Sequence, residues 1–437
     1  MAADQQLLDA LATLWRTPPP GPDNLLSAPA FVTLSELCDR RYGRGKAAFA
    51  LSNALRSLGL PCTLPPDKST LALDVPVVAT ALDAAYTRSV TVRRHICPLD
   101  LADDLPPITF GSARVAQFTA QELEKLFDAP RLARNFPTLP LESKRLAQFH
   151  WLVVEEEVEI DPRPEARATP FMFVNMGRDF GEIEPHFGRF PPPVESALYF
   201  LLLAGWEEWS TMQEVDWRGF RVPWIYTLDE DLFVRPVRPP NPDSLTLEPW
   251  IVEDHWGEEI ELERPSTLPL DDCAKTELQL FTDATWTELQ AARTTPLFET
   301  PVVHFLVRAF LADGIDEVMA HMTAIEAALG LEMDHKRKLR PKPDPHPKPS
   351  ATERVAARIG AALTDATAVR DYKDLFELRS AFVHGRAGLQ KISTPQRVLA
   401  RNLARRVACA LVTLAGKSPR PRADVLADLL DQGIVYL

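Results

Sequence analysis

"DYKDLFELRSAFVHGR", residues 371 to 386, is the stretch on which the fold of this chain turns. Leu375, Phe376, Leu378 and Phe382 recur at the three- and four-residue spacing of a helix with one buried stripe. Gly385 stands where a helix passes into a left-handed cap. A helix made only for packing needs neither Arg379 nor His384 near such an end. His384 is thus placed at a helix C-terminus, where the backbone dipole favours a charged imidazole. At about 100° per residue the two side chains stand roughly 140° apart, so they do not share one face of an ideal helix. Their convergence requires a long arginine side chain, a helix that ends at the histidine, or a second copy of the helix.

The sequence on either side is helical. From about residue 268 apolar residues recur at three and four, as in "VVHFLVRAFLADGIDEVMAHMTAIEAALG". Segments near 268 to 292, 299 to 312, 314 to 330, 351 to 364, 369 to 384 and 395 to 416 form a helical bundle. One stretch interrupts it: "KRKLRPKPDPHPKPS", residues 336 to 350, alternates proline with basic residues and cannot continue a helix. It reads as an extended, mobile connector, with contact to RNA as the alternative. Residues 301 to 437 carry 21 Lys and Arg against 15 Asp and Glu, net +6, whereas the first 300 residues are net −19. The C-terminal third is thus the part whose electrostatics favour a polyanion.

Upstream the pattern changes. Residues 90 to 265 alternate β-branched and aromatic runs with proline-rich turns, which points to a mixed α/β region around a sheet. The strands are "SVTVRRHI", "ITFG", "ARVAQF", "HWLVVEEEVEI", "PFMFVNM", "ALYFLLLAG", "FRVPWIYTL" and "LFVRPV". One helix, "TAQELEKLFD", is capped by Thr119 with Glu122 three residues later. The acidic runs "EEEVEID" and "EDHWGEEIELE" read as solvated faces rather than metal sites. His95 and Cys97 share one side of a strand without a second ligand pair, so a core histidine and thiol are expected rather than zinc. Before the sheet, the helices "TLSELCDRR" and "GKAAFALSNALRSLG" precede the strand-like runs "PCTL" and "STLALDV", an order that resembles a winged helix-turn-helix. Arg40, Arg41, Arg44 and Lys46 would suit phosphate contacts there. "GRGK" is not a phosphate loop, because Arg40 and Ala47 replace the glycine and the Ser/Thr such a loop needs.

At 437 residues the chain exceeds the roughly 250 to 300 beyond which one core stops growing, so more than one domain is expected. The longest apolar run, "ALYFLLLAGW", is about half the roughly 20 residues that a membrane-spanning helix needs. The start, "MAADQQLLDALATLWRTPPPG", is acidic and amphipathic, unlike a secretory signal. A cytoplasmic protein with no membrane partner is the expectation. Five widely spaced cysteines fit reduced thiols better than disulfides.

Taken in order, "AFLADGIDEVMAHMTAIEAALGLE", "ATERVAARIGAAL" and "DYKDLFELRSAFVHGR" resemble the HEPN superfamily, specifically the Apea-like HEPN domain. Its C-terminal helices carry an acidic helix, an arginine-bearing helix and an RxxxxHG end. The likeness covers about residues 296 to 437, and "ITFGSARVAQFTAQELEKL" is similar to segments upstream in such proteins. The resemblance implies metal-independent RNA cleavage without a cofactor, with the family's arginine and histidine falling on Arg379 and His384. Attack of a ribose 2′-OH on the adjacent phosphate requires proton transfers, which histidine performs, and charge stabilisation, which a guanidinium supplies. The products would be a 2′,3′-cyclic phosphate and a 5′-hydroxyl. Many active relatives carry Asn, Asp or His directly after the arginine, where this chain has Ser380. Glu326 resembles the family's acidic position; it either orients Arg379 or pairs with Arg358 to hold the bundle, and the structural pairing is preferred.

The expected architecture is α+β: a helical, winged-helix-like module over 1–88, a mixed α/β sensor-like region over 89–295, and an all-α HEPN bundle over 296–437. The expected activity is that of an endoribonuclease acting in defence or as a toxin. Its substrate is RNA, it pairs as a homodimer through the HEPN domain, and a trigger or partner protein acts at the N-terminal region. The alternative is a non-catalytic HEPN regulator or scaffold that binds a partner or DNA.

Overall fold

A computed structural model describes residues 5–17, 24–43, 47–168, 190–253, 255–385, 391–417 and 420–437. The fold is α+β, about 56% helix and 13% strand, so sheet is the minor component. The chain divides into two compact units drawn from separated segments. Residues 1–98, 117–182 and 224–245 make the first; residues 99–116, 183–223 and 246–437 make the second.

In the first unit, helices Gln5–Trp15, Pro29–Tyr42, Ala48–Ser57 and Val75–Thr87 bury Leu11, Leu34, Leu51 and Leu82 in one core with Phe233. The wing expected after the first helices is not formed. Prolines 61 and 66 start the 3-10 turns Pro61–Thr63 and Pro66–Leu71 where strands were expected, and a further helix begins at Val75. Of the basic cluster, Arg41 meets Asp83 at 3.2 Å, while Arg44 and Lys46 lie outside the described residues.

Three strands of this unit neighbour one another in the order His150–Glu159, Val90–Leu99, Tyr226–Asp229. Arg93 stands opposite Asp229 in the antiparallel pair. The acidic strand is not simply solvated, since Glu155 meets Arg94 at 2.7 Å and Glu156 meets the buried His95 at 3.2 Å. Thr119 and Glu122 form the reciprocal cap that their spacing predicts. "LFVRPV" is a loop and not a strand. The buried Arg131 takes the carbonyls of Asp229, Asp231 and Val234, so this backbone bonds a guanidinium in place of a ladder.

In the second unit "ALYFLLLAG" lies in the helix Pro192–Leu201 and its C-terminal turn, not in a strand. Ala197, Leu198, Tyr199, Phe200 and Leu201 are all buried, and an apolar run covered on every side has no period to separate helix from strand. "PFMFVNM" lies outside the described residues. The hairpin Ile108–Phe110 with Ala113–Gln117 turns at Gly111, whose φ is 53°. The run "EDHWGEEIELE" belongs to a second hairpin, Leu247–Glu253 with Glu259–Pro265. Its register sets Trp250 opposite Leu262 and Val252 opposite Ile260, which gathers the apolar side chains on one face of the ribbon.

The rest of the unit is helical. Val302–Leu311 packs on Ile315–Leu329, which packs on Thr394–Lys417; Ala351–Leu363 packs on Ala366–Val383 and on Arg422–Gly433, a helix that lies beyond the last segment delimited from the sequence pattern. The last contact is close enough that a Cβ on Gly433 would collide with the Ala357 carbonyl oxygen. Fully buried Glu207 joins Arg401 at 3.2 Å and Arg405 at 2.6 Å, and buried Glu317 joins Arg397 at 2.7 Å. The stretch 336–350 is tethered and not free. Arg340 donates to the Met333 and Asp334 carbonyls, Arg354 meets Asp344 at 2.7 Å, and His346 meets Asp431 at 2.6 Å. Among the described residues, no helix is long and apolar enough to cross a membrane.

Candidate active site

The helix Ala366–Val383 begins at Asp365, whose side chain accepts from the Thr367 N–H at 2.8 Å and meets Arg406 at 2.7 Å. Its first turns are seated by buried Ala368, Val369, Tyr372 and Leu375. The last turns leave the core. Phe376, Leu378 and Phe382, expected to be buried, are only half-buried, and Val383 is 57% exposed. Gly385 closes the end with φ 58°, the left-handed value expected of it.

Arg379 stands where the helix emerges. Its Nη1 donates to Glu326 Oε1 at 3.2 Å, and its guanidinium carbon lies 5.7 Å from the Phe376 ring centroid. Among the described residues that carboxylate is its only hydrogen-bond partner, and its buried Nε has none. Arg358 instead meets Asp334 at 2.5 Å, so the preferred Glu326–Arg358 pairing is replaced by Glu326–Arg379. The reason is rotational: Glu326 and Arg379 face a common cleft, whereas Arg358 points into the bundle interior, where it is 1% exposed. Burial raises the Glu326 carboxyl above its ordinary range, although Arg379 and His335 pull it back.

The cleft has a volume of about 320 Å³. Glu326, Glu332, His335 and Arg379 supply its polar lining, with Tyr372 and Phe376 among its apolar walls. Sequence spacing singled out neither His335 nor the two aromatic residues as site residues. His335 ends the short helix Glu332–His335, which is fixed when the Asp334 carboxylate accepts from the Leu331 N–H at 2.8 Å. From Lys336 on, Lys336, Arg337, Lys338, Lys342 and Lys348 are exposed.

His384 is not in this cleft. It is exposed at the helix C-cap, its N–H donating to the Ser380 carbonyl at 3.0 Å, and among the described residues its imidazole has no partner. Ser380 is half-buried. One protomer thus joins Arg379 to Glu326 in the cleft, whose lining does not include His384. The acidic runs do not gather elsewhere either: among the described residues, no group of three His, Cys, Asp or Glu side chains is placed to hold a metal ion. No protein-family model, curated protein or solved structure matches the chain.

Proposed function

We propose that this protein is a metal-independent endoribonuclease of the HEPN type, active as a homodimer through its C-terminal helices. In this reading it serves as a cytoplasmic defence or toxin effector, held in check by its acidic N-terminal region until a trigger or partner releases it. The observation that carries the reading is the Arg379 guanidinium, under-bonded among the described residues, in an open cleft, with His384, whose imidazole has no partner among those residues, exposed five residues on. Arg379 would stabilise charge on the phosphoryl oxygens, and His384 would move the proton of the 2′-OH or of the leaving 5′-oxygen. Glu326 orients the guanidinium. A second copy meeting the emergent helix end, where Val383 is 57% exposed, would bring His384 of one protomer toward Arg379 of the other.

One observation favours the non-catalytic alternative: Arg379 lines the cleft and His384 does not, as in a helix end that only binds a partner. Denaturing-gel cleavage of total RNA decides between them. Wild type and His384→Ala are compared with EDTA present, and the oligomeric state of each is checked. The nuclease reading expects cleavage that survives EDTA and falls about 10²- to 10⁴-fold in the variant. Cleavage by both proteins alike would overturn the assignment of His384.

A further inference from the structure

We propose that the cleft beside Arg379 seats one nucleotide of a single-stranded RNA, with the phosphate at Arg379 and His335 and the base against Phe376. The inference rests on the ribonuclease reading and names the place of its substrate. The cleft, about 320 Å³, is at the lower end of the roughly 300 to 1,000 Å³ typical of small-ligand sites. Its donors are unused. A guanidinium carries five N–H groups, yet among the described residues Arg379 has one carboxylate bond and a buried Nε without a partner, an arrangement that calls for a further acceptor.

The walls fit a nucleoside. Tyr372 is 1% exposed and backs the cleft from behind, so of the two aromatic residues Phe376 is the one that presents a surface. The Tyr372 and Phe376 ring centroids lie 6.2 Å apart, and the half-buried Phe376 offers a surface for stacking. Stacking on such a surface tolerates any base but requires the base to leave its helical stack, hence a single strand. His335 is exposed in the cleft lining; Lys336 after it is paired with Glu332 at 2.5 Å, and the exposed Arg337 and Lys338 that follow supply the positive charge for neighbouring phosphates as the strand leaves the cleft.

The test uses the full chain and a fluorescent single-stranded RNA with every 2′-oxygen methylated, which binds but cannot react. Binding is titrated at fixed salt for wild type, His335→Ala, His335→Gln and Phe376→Leu. Each substitution is expected to weaken binding about tenfold, with circular dichroism unchanged. Unaltered binding in all three variants, or no binding by wild type, would overturn the nucleotide site, and His384-dependent cleavage could still stand without it. Weakened binding in a protein that never cleaves unmodified RNA would retain the site and remove the nuclease reading.

Discussion

Arg358 and Arg379 lie on helices that pack against each other, and each meets one carboxylate. Arg358 is nearly saturated, with four of its five N–H groups engaged: Nε donates to the Leu426 carbonyl at 2.9 Å, Nη1 to the Leu329 carbonyl at 2.9 Å, and both terminal nitrogens to Asp334 at 2.5 and 2.9 Å. Arg379 makes one bond among the described residues, at 3.2 Å, and its side chain is 28% exposed. The first pair consumes its donors in holding three helical segments together. The second leaves donors over, and only unused donors can recognise something that arrives. What separates an architectural ion pair from a candidate site here is therefore the count of unsatisfied groups, not charge or spacing.

The largest effect expected from this contrast is on stability. Arg358→Ala leaves Asp334 buried without its counter-charge and is expected to destabilise the protein by about 3–5 kcal/mol in chemical denaturation. Arg379→Ala removes a part-exposed pair and is expected to cost about 1 kcal/mol or less. Equal losses at the two positions would erase the distinction. In activity the order reverses. Arg379→Lys keeps the charge but loses the planar fork, and if the nuclease reading holds, the cleavage rate per folded molecule falls about 10²-fold while the denaturation midpoint barely moves.

Much of this arrangement was legible in the sequence where the cause is local. The Thr119 cap, the helix end at Gly385 and most of the helical segments follow from neighbours within a turn. The failures have non-local causes. "ALYFLLLAG" is buried on all sides and so carries no period, while "LFVRPV" is held open by Arg131, about a hundred residues earlier in the chain. The partner of Glu326 could not be read because Arg358 and Arg379 are both basic residues on good helices, and which one faces Glu326 depends on how the helices rotate against one another. His335 was missed for a related reason. It becomes a cleft residue only because the Asp334 cap and the Arg340 bonds turn the basic stretch back against the bundle.

The smallest effect sharpens the contrast most. In the folded protein burial outweighs the pull of Arg379 and His335, so the Glu326 carboxyl is raised above its ordinary range. The folded state then holds a proton that the unfolded chain has already released. Stability from this group is complete below the ordinary glutamate value and is lost as pH rises through the folded one. Glu326→Gln keeps the shape without the ionisation and is expected to flatten that decline, which is read as the difference between wild-type and variant denaturation midpoints across the acid range. The difference is modest because the side chain is 31% exposed and water offsets part of the burial. Should wild-type stability instead rise with pH relative to the variant, Arg379 would hold the carboxylate charged as firmly as a saturated pair does, and the spare donors on which the cleft depends would have to be sought elsewhere.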